Sequence, residues 1–278
     1  MRRPLLAALL PLLLAGCTAT PATPDATPTT TVPITEAPRP AKVPGPVVAL
    51  GDSITRGVNA CSDKIGDCPE ASWSTGTTLD SHAHKVGQPG TNLANSGARV
   101  ADLPGQAESA AAVHPAYVTI LIGANDACRQ SADRMTSTTA FKADLAKSLA
   151  TIRKGAPDAK LLLASVPDLY QLWSIGHADQ RATQRWGLGI CPSMLANPGS
   201  TAAEDERRRQ SVRDRVVAYN DVIAVACKDY GSNCRTDGGA VFRFQFRPEH
   251  VSSIDYFHPS ALGQAELARV TNEAGYRW

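Results

Sequence analysis

Val47-Val48-Ala49-Leu50-Gly51-Asp52-Ser53 sets four consecutive apolar residues against a glycine, an acid and a serine. A run without polar alternation fits a strand covered on both faces, as in a parallel sheet. The glycine permits a tight turn where the strand ends. Two further runs share the form. Tyr117-Val118-Thr119-Ile120-Leu121-Ile122 ends in Gly123, and Leu161-Leu162-Leu163-Ala164-Ser165-Val166 ends in Pro167. Helical patterns occupy 100–112 and 140–154, a long amphipathic one covers 203–228, and a last one follows Pro259 through Leu262, Leu267 and Val270. This alternation predicts an α/β domain, three-layer α/β/α, with a doubly wound, mainly parallel, flavodoxin-like sheet. In such sheets chemistry collects at the carboxyl ends of the strands, near the switch point.

Outward from this core, the chain changes character toward its start. Arg2 and Arg3 precede an apolar run from Leu5 to Leu14 that is too short to span a bilayer as a helix. Leu14-Ala15-Gly16-Cys17 resembles the lipobox of bacterial lipoproteins, so 1–16 is expected to be a signal peptide and Cys17 to be lipidated. Simple secretion is the alternative. Residues 17–46, rich in Thr, Pro and Ala, bury too little surface to offset ordering entropy and are expected to form a disordered tether. The folded domain is then 47–278, in an exported, extracytoplasmic protein held at the cell membrane by its lipid anchor.

The full chain of 278 residues carries 28 Lys and Arg against 26 Asp and Glu, and loss of Arg2 and Arg3 leaves the mature part neutral. Neutrality gives no general pull on nucleic acid or anionic membrane. At 5% aromatic residues, no stacking platform for single-stranded nucleic acid stands out. The expected partners are therefore an ester substrate and, through the anchor alone, a membrane, with the protein itself a monomer.

Four short motifs carry chemistry. Ser53 follows the first strand and is expected to open the next helix, where its own N–H can point at a reacting oxygen. Asn95-Ser96-Gly97-Ala98 offers the Gly97 N–H unobstructed by a side chain. Gly123-Ala124-Asn125-Asp126 ends the second run, and Asn125 offers a side-chain donor at the same sheet edge. In Asp255-Tyr256-Phe257-His258, a looped carboxylate three residues before the imidazole can reach its ring N–H and fix the tautomer. Each motif alone also reads as an ordinary turn or a solvated pair.

Together and in this order, these motifs resemble the four blocks of the SGNH, or GDSL, hydrolase superfamily. The resemblance runs from Val47 to the C-terminal helix. It extends through Val-Ala-Leu-Gly-Asp-Ser-Ile-Thr in the first block and Asp-Tyr-Phe-His-Pro-Ser-Ala-Leu-Gly-Gln in the last. It implies Ser53 as nucleophile, His258 as general base and Asp255 as its orienting acid. Ser53, Gly97 and Asn125 would form the oxyanion hole. The implied activity is hydrolysis of lipid or small acyl esters through an acyl-enzyme, as an esterase or lipase, with no cofactor. Two alternatives stand beside it: O-deacetylation of carbohydrate or cell wall, and a non-catalytic binding lipoprotein on a hydrolase scaffold.

The segment 167–203 departs from the family pattern. It carries Tyr170, Trp173 and Trp186, which are expected to line a substrate pocket. With Cys17 set aside, six cysteines remain, for which fifteen pairings are possible. Sequential pairing is favoured. Cys61 with Cys68 and Cys227 with Cys234 would pin local loops, leaving Cys128 for Cys191, and the resemblance to secreted, disulfide-containing members points the same way. No metal is expected, because His82-x-His84 has no evident third ligand and no Cys-x-x-Cys occurs. Gly-x-Ser-x-Gly, Ser-x-x-Lys and a complete phosphate-binding glycine loop are also missing.

Overall fold

The structure is a computed structural model that describes residues 45–277. The expected leader, Cys17 and the tether as far as residue 44 lie outside them. Five strands, β1 (Val47–Gly51), β2 (Gly90–Asn92), β3 (Tyr117–Leu121), β4 (Lys160–Leu163) and β5 (Cys234–Thr236), form one sheet in the order β2-β1-β3-β4-β5. Every pairing is parallel. The three runs expected as strands are the three central ones, and β1 and β3 are buried along their whole length. The two edge strands have only three residues each and no apolar run, so no periodicity announces them.

Among the described residues, ten α-helices surround the sheet. They are α1 (His82–Val86), α2 (Leu103–Ala112), α3 (Ala124–Ala127), α4 (Thr138–Gly155) and α5 (Leu169–Gly176), then α6 (Gln180–Trp186), α7 (Pro192–Leu195), α8 (Ala203–Tyr230), α9 (Ala240–Arg243) and α10 (Ala261–Ala274). Along the chain from β2 to β5, α2 packs on α4 and α4 on α8, so the three helices lie side by side. Phe141 of α4 stacks on Tyr219 of α8 at 4.2 Å between ring centroids. Elsewhere, α1 meets α10 through His82 and Thr271. The layers are those of the expected doubly wound domain, and β1 and β3 flank its switch point.

One local expectation changes. No helix opens at Ser53, and residues 53–59 run as successive turns. Gly57 (φ +67°) and Asn59 (φ +55°) leave the right-handed region, so the i→i+4 ladder cannot propagate. The segment 167–203 holds α5, α6 and α7. All six expected cysteines are paired as Cys61–Cys68, Cys128–Cys191 and Cys227–Cys234. Among the described residues, no helix is long and apolar enough to cross a membrane.

Candidate active site

Three segments from distant parts of the chain meet at the carboxyl ends of β1 and β3. Gly51 and Leu121 are register partners across these strands. A Cβ at Gly51 would lie 2.2 Å from the Leu121 carbonyl oxygen, so the glycine is required for β1 to end this close to β3. The turn beyond it carries Ser53. The loop before α10 brings back Asp255 and His258.

The His258 Nε2 lies 2.8 Å from the Ser53 Oγ, and its Nδ1 lies 2.6 Å from the Asp255 Oδ2. Ser53 is buried, and the side chains of His258 and Asp255 are only 15% and 14% exposed. Asp255 is held in place by its own loop, because its Oδ1 accepts the backbone N–H of Phe257 at 2.9 Å and of His258 at 3.0 Å. Burial works to raise the Asp255 pKa, but the hydrogen bond and charge of His258 and the bond from Asn59 outweigh it and hold the carboxyl below its ordinary range. Asp255 is therefore an anion facing an imidazole N–H. That arrangement leaves the opposite ring nitrogen free to accept the serine proton.

The three donors expected to form an oxyanion hole belong to Ser53, Gly97 and Asn125. Among the described residues, the backbone N–H groups of Ser53 and Gly97 donate to no protein acceptor. Gly97 has φ +80°, a left-handed conformation that favours glycine, although a Cβ there would meet nothing within 4 Å. The Asn125 Nδ2 donates to the Ala98 carbonyl at 3.0 Å. That bond fixes the amide and leaves its second N–H unused. The two loops are tied beneath this point by Asp126, whose Oδ2 accepts the Val100 N–H at 2.9 Å.

The Cys128–Cys191 bond joins the chain just beyond Asn125 to the start of α7, closing a loop of 63 positions. A cross-link over that length removes about 4 kcal/mol of unfolded-chain entropy. Ser193 reinforces it, donating to the Ala127 carbonyl at 2.7 Å and accepting the Arg129 N–H at 3.0 Å.

The aromatic residues of 167–203 separate. Trp186 lines a cavity of about 490 Å³ together with Asn59, Leu172, Ile175 and Tyr256. Its Nε1 donates to the Tyr256 carbonyl at 2.8 Å, one residue from Asp255. Neither Ser53 nor His258 lines this cavity. Tyr170 and Trp173 do not reach it. Tyr170 donates to the Glu206 Oε1 at 2.8 Å, and Trp173 packs under the Arg209 guanidinium at 4.1 Å and donates to the Pro198 carbonyl. Both serve the packing of α5 on α8.

His82 and His84 do not converge on a common point. The buried His82 sits between the Tyr117 hydroxyl at 2.9 Å and the Thr271 Oγ1 at 2.8 Å, while His84 faces Asp80 at the surface. Thr271 gives its own proton to the Leu267 carbonyl, so it accepts from His82, and burial lowers the His82 pKa to about 3. His82 is a neutral core residue.

Two residues outside the expected set belong to the site. The Asp52 side chain is wholly buried. Its Oδ1 accepts the Ile54 N–H at 2.9 Å, and burial raises its pKa to about 7. Asn59 donates to the Asp255 Oδ2 at 2.5 Å. The Gly-Asp-Ser triplet could have suggested Asp52; no sequence pattern marks Asn59.

The model of the GDSL-like lipase/acylhydrolase family matches residues 49–266. A search of curated proteins gives no match. Among solved structures, the fold is similar to that of phospholipase A1 from Streptomyces albidoflavus, at 21% identity and a TM-score of 0.51, covering 83% of this chain and 99% of that one. It is also similar to a family two carbohydrate esterase from Clostridium thermocellum solved with cellohexaose, at 17% identity and a TM-score of 0.53, covering 84% of this chain and 64% of that one. Both likenesses are of fold.

Proposed function

The chain belongs to the GDSL-like lipase/acylhydrolase family, and from that premise we propose that it is a serine hydrolase of carboxylic esters, with Ser53, His258 and Asp255 as its catalytic triad. Family membership supports ester hydrolysis. The single observation that carries the finer reading is the unbroken chain from the Ser53 Oγ through His258 to Asp255, at 2.8 and 2.6 Å.

In this reading the Ser53 Oγ attacks the ester carbonyl carbon while His258 Nε2 takes its proton. The negative oxygen that forms is met by the N–H groups of Ser53 and Gly97 and by the free N–H of Asn125. The carbon–oxygen bond to the alcohol then breaks, and His258 returns the proton to the departing alkoxide. Water, deprotonated by the same nitrogen, releases the acid and regenerates Ser53. Every proton taken is given back, so the cycle needs no cofactor.

Trp186 is proposed as the substrate-side residue of the 167–203 segment, because its ring lines the cavity that adjoins the Asp255 loop. Outside the described residues, 1–16 is proposed as a signal peptide, Cys17 as the lipidated anchor and the following stretch as a tether to the 47–278 domain. Three disulfides fit an oxidising, extracytoplasmic setting. The decisive experiment is labelling with an organophosphonate, which reacts only with an activated hydroxyl at neutral pH. Ser53 should be the labelled residue. A label elsewhere, or ester hydrolysis that survives Ser53→Ala, would overturn the proposal.

A further inference from the structure

Asn59 belongs to no motif, yet every polar group it has is engaged. Its N–H donates to the Gly66 carbonyl and its Oδ1 accepts the Gly66 N–H, both at 2.8 Å. Its carbonyl accepts from the Ser252 Oγ at 2.6 Å, and its Nδ2 donates to the Asp255 Oδ2 at 2.5 Å. The Gly66 N–H can only donate, which identifies the oxygen of the Asn59 amide and turns the nitrogen toward Asp255. The residue is 9% exposed and sits at φ +55°, a backbone conformation that Asn tolerates better than most residues.

The donors around Asp255 divide into two kinds. The N–H groups of Phe257 and His258 and the His258 ring belong to the acid's own loop and move with it. Asn59 is the donor that comes from another element. It lies on the same turn as Ser53, joined to it by the Val58 N–H, which donates to the Ser53 carbonyl at 3.0 Å. Gly66, which grips the Asn59 amide, sits inside the loop closed by Cys61–Cys68. The nucleophile's segment and the acid's loop are thus joined three times: by Ser53 with His258, by Asn59 with Asp255, and by Asn59 with Ser252.

We propose that Asn59 is a positioning residue. It braces Asp255 from the nucleophile's own turn and so sets His258 in register with Ser53. The inference rests on the triad reading above.

Loss of the Asn59 donor should act in two ways. Freed from one strut, the loop carrying His258 can drift, and misplacement by about 1 Å costs up to about 100-fold in rate. The Asp255 carboxylate, with one donor fewer, also becomes more basic and stabilises the imidazolium more, so the acid limb of the kcat/KM–pH profile should move to higher pH. His258 is faced by Asp255 on its own loop and, within electrostatic reach, by Asp52 at the end of β1, which these changes leave intact.

The test uses Asn59→Gly, which keeps the backbone conformation accessible, and Asn59→Asp, which keeps the side-chain shape and the acceptor for Gly66 but replaces the donor with a carboxyl. With soluble p-nitrophenyl esters, kcat should fall at least tenfold in Asn59→Gly while KM stays within about twofold. The acid limb should rise in both variants, further in Asn59→Asp. The downfield His258 Nδ1–H proton resonance should shift. If Asn59→Gly does not fold, Asn59→Asp carries the test through its pH profile. A kcat within twofold of wild type, or an acid limb that stays put in the folded variant, overturns the inference. Ser53→Ala is the separate control: activity that survives it refutes the triad, whereas its loss together with an unmoved Asn59 variant refutes Asn59 alone.

Discussion

Asn125→Ala removes one of three donors from the proposed oxyanion hole, and the structure indicates what that should cost. The amide has two N–H bonds, and one is committed to the Ala98 carbonyl at 3.0 Å. The other is free, and its neighbours in the hole, the N–H groups of Ser53 and Gly97, are likewise unengaged. A preorganised donor of this kind contributes about 3 kcal/mol to the transition state, so kcat should fall by about two orders of magnitude. The ester oxygen reaches full contact with the donors only as it becomes an anion, so KM should change by no more than about threefold. The Ala98 carbonyl also loses its donor, at about 1 kcal/mol of stability, which for a domain of this size lowers Tm by about 2–4 °C. Steady-state kinetics with a soluble p-nitrophenyl ester and calorimetry on the same preparation separate the two effects. A kcat within threefold of wild type in a folded Asn125→Ala protein would remove Asn125 from the oxyanion hole. A loss of kcat/KM that lies wholly in a raised KM, with kcat unchanged, would make it a ground-state binding residue instead.

Three further outcomes are expected. Trp186→Ala should change the acyl chain-length preference of kcat/KM across an ester series. Trp173→Ala, which removes packing against Arg209, should cost about 3–5 kcal/mol of stability and leave the preference flat; the reverse pattern would relocate the pocket. For Asp52, burial raises the folded pKa from 3.8 to about 7, so between these values the folded protein holds a proton that the unfolded chain has released. Stability from this group is therefore full below about pH 4 and lost as pH rises toward 7, approaching about 4 kcal/mol. Asp52→Asn should abolish that contribution, so the Tm difference between variant and wild type should grow in the variant's favour from pH 4.5 to 7.5, and a constant difference would contradict a buried, protonated Asp52. Cys17→Ala should release the protein from membranes or block its processing, as membrane fractionation and N-terminal sequencing would detect; a wild type that is wholly soluble and begins after Cys17 would refute lipidation.

The central strands were legible in the sequence because strands buried on both faces are apolar at nearly every position, as Val47–Leu50 and, but for Thr119, Tyr117–Leu121 are. Ser53, Gly97, Asn125, Asp255 and His258 stood out as candidates because each is in a short local pattern at the end of a strand or before a helix, and the fold brings Ser53, His258 and Asp255 within hydrogen-bond distance. The sequential disulfides followed from spacing and from the family resemblance. The edge strands β2 and β5 were not legible, since three half-exposed residues carry no period and are held only by neighbours distant in the chain. The turns after Ser53 were hidden too, because positive φ at Asn59 is stabilised by Gly66, Ser252 and Asp255 rather than by adjacent residues. Composition alone could not sort the aromatic residues of 167–203. The docking of α5 on α8 buried Trp173 beneath Arg209 and left Trp186 on the cavity beside Tyr256. Local chemistry and apolar runs are written residue by residue, and the chain declares them. Which side chain braces the acid, and which aromatic ring faces a cavity, depends on contacts between segments as far apart as Asn59 and Asp255, and those exist only once the sheet has brought its strand ends together.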